Sequence, residues 1–256
     1  MSSLRTTLFM GLMLVASTIA LAQTNTPDNP SWWNKYQYLS THAASPNAGS
    51  SSSAAVGPNV DVSNECGPQS ETYVTVNTSR PKNLAGGSNE IFRDPMRAYA
   101  SFDNGASWTG VDAPLPPPLS GTNDIRFGSD PSLVFDTRGN LFYSYIVVFF
   151  GGGNGINGTE LAVAKSTDGG KSFGSANFFS FSSGKDHFND KPMITADRSL
   201  SSPLRDNIYV AWDAASGGSS SGGIRVAHSS DRGATFTVNR ADDPHGPGRS
   251  IGAFLL

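Results

Sequence analysis

The chain has 256 residues, with 18 Lys+Arg against 21 Asp+Glu for a formal charge of −3, so it lacks the basic footprint of a nucleic-acid binder. Charged residues make up 15%, well below the roughly 25% usual in globular domains, while 28 Gly and 16 Pro point to many turns and little helix. Aromatics at 10% suit half-buried pleated strands, and the expected class is all-β.

In chain order, residues 1–22 read as a secretory signal: Arg5 gives the positive start, Leu8 to Val15 the apolar stretch, and Ala20-Leu21-Ala22 the small-residue cleavage pattern. The mature chain is then expected to begin at Gln23 with charge −4, secreted or periplasmic, and to have no membrane contact after cleavage. Cys66 stands alone, which rules out an internal disulfide and leaves it buried, free or intermolecular. Residues 23–64, rich in Ser, Pro and Asn, read as a flexible segment. Within it, the aromatic stretch Trp32-Trp33-Asn34-Lys35-Tyr36-Gln37-Tyr38 either covers an edge of the following domain or stacks on a sugar ring.

Residues 65–256 are organised by a repeat. Ser101-Phe102-Asp103-Asn104-Gly105-Ala106-Ser107-Trp108, Ser166-Thr167-Asp168-Gly169-Gly170-Lys171-Ser172-Phe173 and Ser229-Ser230-Asp231-Arg232-Gly233-Ala234-Thr235-Phe236 all fit Ser-x-Asp-x-Gly-x-Ser/Thr-Trp/Phe, at spacings of 65 and 63 residues. The pattern is that of a β-hairpin turn. Its Asp accepts backbone N–H bonds, its Gly supplies positive φ, its hydroxyls tie the strands, and its aromatic packs between neighbouring sheets. Asp103, Asp168 and Asp231 are therefore read as structural.

Each unit also opens on a similar innermost strand: Glu71 to Asn77, Asp130 to Asp136, and Lys191 to Asp197. Second strands follow at Asn83–Ser88, Leu141–Phe150 and Asn207–Asp213, with third strands at Leu161–Lys165 and Ile224–His228 in the later units. A fourth strand after each hairpin completes a propeller blade.

The hairpins resemble the Asp-box, or BNR, repeats of sialidases and exported bacterial sialidase-like proteins, and Asp190-Lys191-Pro192 through Trp212 is similar to the same group. The resemblance implies a sialidase-like β-propeller whose relatives act on or bind glycans. About three blades and the start of a fourth fit from Cys66 to Leu256, so an incomplete or truncated propeller is expected, able to associate with itself through open blade edges.

Other motifs fall to their context. Gly153-Asn154-Gly155-Ile156-Asn157-Gly158 is followed by a strand and so is no phosphate cradle, and Gly218-Ser219-Ser220-Ser221-Gly222 lies in a Gly/Ser run and is no nucleophile elbow. His42, His187, His228 and His245 have no metal-ligand spacing, so neither metal nor cofactor is expected. The resemblance implies an arginine triad for gripping a sialate carboxylate, but its Arg-Ile-Pro signature is absent, and none of the twelve arginines carries over by motif.

The candidates that remain lie in loops expected to enter the innermost strands. Aligning Arg126-Phe127-Gly128-Ser129-Asp130-Pro131 with His187-Phe188-Asn189-Asp190-Lys191-Pro192 gives Asp130 and Asp190 as candidate catalytic acids and Arg126, His187 and Arg249 as candidate ligand-binding cations. The alternative is that the two acids simply satisfy backbone donors. The expected function is a glycan- or protein-binding module, noncatalytic on its own, with an exo-α-sialidase-type hydrolase as the rival reading.

Overall fold

The computed structural model describes residues 59–64, 69–91, 93–122, 124–151, 155–184, 187–216, 223–242, 253 and 255, with the backbone alone at 187, 215 and 216. The expected signal and flexible segment up to residue 58, Cys66, Gly218 to Gly222 and Arg249 lie outside the described residues.

Among the described residues, twelve strands form three four-stranded antiparallel sheets, each a meander in sequence order. The first blade is β1 (Gln69–Val76), β2 (Leu84–Glu90), β3 (Arg97–Ser101) and β4 (Thr109–Asp112). The second is β5 (Ile125–Phe135), β6 (Leu141–Phe150), β7 (Ile156–Ser166) and β8 (Asn177–Ser183). The third is β9 (His187–Ala196), β10 (Ile208–Ser216), β11 (Ile224–Ser229) and β12 (Thr237–Arg240). No helix occurs among the described residues. The leading strands meet between blades, β1 with β5 and β5 with β9, so they form the inner wall.

The apolar pattern explains the stacking. The β6 sequence LFYSYIVVFF is buried at every position but the last, as a strand covered on both faces must be. Its odd-numbered residues Tyr143, Tyr145, Val147 and Phe149 enter a core shared with Ala85, Met96 and Ala98 of the first blade. The even-numbered Phe142, Ile146 and Val148 enter a second core with Ile194, Ile208, Val210 and Trp212 of the third. A Cβ at Gly87 would lie 2.7 Å from the Tyr143 hydroxyl, so only glycine admits that ring between the first two blades.

The three repeated hairpins join the third and fourth strands of their blades and share one bonding scheme. Ser101 Oγ donates to Asp103 Oδ1 at 2.8 Å, Gly105 N–H donates to Ser101 Oγ at 2.8 Å, and Ser107 donates its N–H and hydroxyl to the two Asp103 oxygens at 2.9 and 2.5 Å. The same scheme recurs at Ser166, Asp168, Gly170 and Ser172. It appears a third time at Ser229, Asp231, Gly233 and Thr235. All three glycines have positive φ, at 86°, 101° and 82°. Phe173 packs on Tyr143 in the first core, and Phe236 stacks on Phe179 in the second with ring centres 4.8 Å apart.

One expectation is corrected. Residues 125–129 and 187–190 are not loops but the opening halves of β5 and β9. The pairing register shifts between Ser129 and Ser132 and again opposite Ala211 and Asp213, so each strand continues through a bulge. Pro131 and Pro192 fall in those bulges, where the missing N–H costs no ladder bond.

Candidate functional site

All three inner strands carry the same irregularity at the same place. In β1 the register shifts between Ser70 and Tyr73, the counterpart of the shifts in β5 and β9. The first residue in each bulge is left-handed: Glu71 at φ 51°, Asp130 at 60° and Lys191 at 49°. None is glycine, and each such conformation costs on the order of 1–3 kcal/mol, the kind of strain that collects at functional sites.

The bulges bring these three side chains together. Lys191 Nζ lies 2.5 Å from Glu71 Oε1 and 3.8 Å from Asp130 Oδ1. The Asp130 carboxylate is 9% exposed, against 40% for Glu71 and 46% for Lys191, so Asp130 forms the base of the cluster and the other two its open side. Asp130 Oδ2 accepts the Lys191 backbone N–H at 3.1 Å, and Ser129 Oγ donates to Oδ1 at 2.9 Å. From the first blade, Asn89 Oδ1 accepts the Asp130 N–H at 2.8 Å, and Asn89 Nδ2 donates to Glu71 Oε2 at 3.4 Å.

A hydrogen bond to the Asp130 carboxylate, helped by partial burial, raises the Glu71 pKa above the ordinary glutamate value, against the pull of Lys191. Partial burial alone would lower the Lys191 pKa. The bond to Glu71 and the charges of Asp130, Glu71 and Asp190 outweigh it and raise the ammonium above its ordinary value. The cluster is therefore a pair of carboxylates that converge on one lysine ammonium.

The structure sorts the residues singled out in the sequence. Asp130 is at the centre of the cluster. Asp190 is half-buried on β9 and acts on Lys191 through its charge, but its place in the blade matches Ser129, and the counterpart of Asp130 is Lys191. Arg126 pairs with Phe149 on the face of β5 turned to the first blade, and its Nε donates to the Pro116 carbonyl at 2.6 Å, so it is not joined to Asp130. His187 opens β9 opposite Ser216, described in its backbone only, and Arg249 lies outside the described residues. Sequence reasoning missed Glu71, Lys191 and Asn89. The signal for the first two was present: the three innermost strands, set in register, each begin on a charged side chain.

A second feature lies on the first blade. A cavity of about 500 Å³ is lined by Val60, Val62, Tyr73, Val74, Tyr99 and Trp108 among others. Behind its wall, the buried Glu90 accepts hydrogen bonds from Gln69, Ser88 and Tyr99. Those polar groups satisfy one another. Among the described residues, no group of three or more His, Cys, Asp or Glu is placed to hold a metal ion.

No protein-family model matches the chain, and no curated protein matches it. Among solved structures it is similar to a leech intramolecular trans-sialidase, with TM-score 0.50 and 11% identity over 73% of this chain and 46% of that one. It is also similar to an α-L-arabinofuranosidase from Fusarium graminearum, with TM-score 0.50 and 12% identity over 67% of this chain and 48% of that one. The chain thus spans less than half the length of either structure. With the three sheets, these likenesses define the fold as a sialidase-like β-propeller, of which the described residues form three blades.

Proposed function

We propose that the protein is an exported Asp-box propeller module that binds glycan through the cluster of Glu71, Asp130 and Lys191 on its inner wall. One observation carries the reading: three blade-equivalent positions, each strained in the same way, hold three different charged side chains and bring them into one cluster. Glycan as the ligand class is supported by the fold shared with two carbohydrate-active enzymes, and export by the amino-terminal signal pattern.

The acid pair favours a second reading, glycoside hydrolysis with Glu71 as proton donor, because Asp130 and partial burial raise its pKa. Spacing argues for binding over cleavage. Glycosidase carboxylates stand about 5 Å apart in retaining enzymes and further in inverting ones, leaving room for the sugar or a water. Glu71 and Asp130 converge on one ammonium, 2.5 and 3.8 Å from Lys191 Nζ, so a lysine stands where a scissile bond would have to lie.

The test is calorimetric binding of arabinobiose and lactose to the full chain, run beside release of 4-methylumbelliferone from its α-sialoside and α-L-arabinofuranoside. Binding without turnover, weakened at least tenfold in Lys191→Met, is the expected result. Turnover abolished in Glu71→Gln would establish the hydrolase. A folded protein that binds neither sugar and turns over neither glycoside would sink both readings.

A further inference from the structure

We infer that the inner-wall site selects glycans without a carboxylate and rejects sialosides, although the fold is sialidase-like. The inference rests on the glycan-binding reading above and adds the charge of the ligand to it.

Negative groups outnumber positive ones at the cluster. Three carboxylates, Glu71, Asp130 and Asp190, act on one ammonium, Lys191. That ammonium is already engaged, 2.5 Å from Glu71 Oε1, while Asp130 Oδ2 takes the Lys191 backbone N–H. Arg126, the nearest arginine along β5, is turned toward the first blade with its Nε on the Pro116 carbonyl. The other cations in described ion pairs sit away from the bulges: Arg93 and Arg97 on Asp112, Arg138 on Asp206, and Arg240 on Asp242.

A sialate carboxylate brought to this cluster meets a net negative field and a lysine that must leave Glu71 to receive it. Like charges at this range in a partly desolvated site repel strongly, and freeing the lysine exposes Glu71 and Asp130 to each other. A neutral sugar pays neither penalty. Its hydroxyls can donate to the exposed Glu71 carboxylate and accept from the Lys191 ammonium, the two polar groups on the open side of the cluster. Rejection by an unpaired like charge discriminates more sharply than a missing contact does.

Lactose and 3′-sialyllactose differ only in the sialyl group, which makes them the decisive pair. Calorimetric titration of the full chain at neutral pH is expected to show lactose binding at least tenfold tighter than 3′-sialyllactose. Glu71→Gln removes one negative charge and keeps the side chain's shape. It is expected to narrow that ratio at least threefold, whereas Lys191→Met widens it. A merely structural role for either residue would change both affinities alike and leave the ratio fixed. Equal or tighter binding of 3′-sialyllactose by the unaltered chain, or an unchanged ratio in both variants, overturns the inference while leaving the glycan-binding reading in place. Binding of neither sugar overturns that reading, and this inference with it.

Discussion

The hairpins and the inner-strand bulges are both repeated three times, yet they repeat in different ways. In the hairpins the residues themselves recur, and so do the bonds: Ser, Asp, Gly and Ser/Thr close the same ring in each blade. In the bulges only the backbone recurs, left-handed at Glu71, Asp130 and Lys191, while the side chain changes from acid to acid to base. Identity across the blades marks a residue serving its own blade. The hairpins also vary at their left-handed position, Asn104, Gly169 and Arg232, but in the bulges the three different side chains meet, as three like charges could not. The most regular acids of the sequence are therefore its staples, and Glu71 and Asp130 belong to the proposed binding cluster.

The comparison breaks most visibly at a hairpin glycine. Gly233 has φ 82°, and a Cβ there would lie 2.8 Å from Phe142 Cε1 in the preceding blade. Gly233→Val is expected to cost about 2–4 kcal/mol in denaturant unfolding, from backbone strain and overpacking together. Asp168→Ala should follow, at about 1–2 kcal/mol, the scale of a lost turn-capping carboxylate, with sugar affinity unchanged in the protein that remains folded. Lys191→Met inverts that pattern. Its ion pair is half-exposed, so stability should change by less than about 1 kcal/mol while sugar affinity falls at least tenfold.

The smallest effect is in pH, where the two regions have opposite signs. Bonds from Ser107 and Thr235 hold Asp103 and Asp231 at about 2, and at Asp168 the bonds from Ser172 and Ser166 overcome partial burial to reach about 2 as well. With folded pKa values below the unfolded ones, these acids stabilise the fold above about pH 4, and the contribution is lost as pH falls toward 2. The folded pKa of Glu71 is raised instead. Its contribution is full below the unfolded value and is lost as pH rises through the folded one. In unfolding measured from pH 2 to 7, Asp168→Asn should flatten the acid limb, and Glu71→Gln should remove a weak fall on its alkaline side.

Most of the fold was legible because hairpin chemistry is local. An Asp that accepts bonds from residues two to four places away declares itself in eight letters, and the spacing of those octets sets the blades. The strand openings were not legible in the same way. Arg126 to Ser129 look like a loop because Pro131 follows, and the bulge that lets the strand pass through proline is a property of pairing with β6. Nor was the partner of Asp130. Acid sought acid in the alignment, which put Asp190 forward, whereas contact across blades depends on which residue occupies the left-handed position, and that is Lys191. Trp108 shows the same limit from the other side. Its hairpin matches those of Phe173 and Phe236, but no described blade precedes its own, and it lines a cavity in place of a core.

The central claim, that the bulges bind ligand and the hairpins do not, is tested most directly by following backbone amide resonances of the full chain during titration with lactose. Saturable shifts are expected at Glu71, Asn89, Asp130 and Lys191, with the amides of Gly105, Gly170 and Gly233 unmoved. Shifts concentrated at the hairpins, or none at the inner strands of a folded protein, would contradict it.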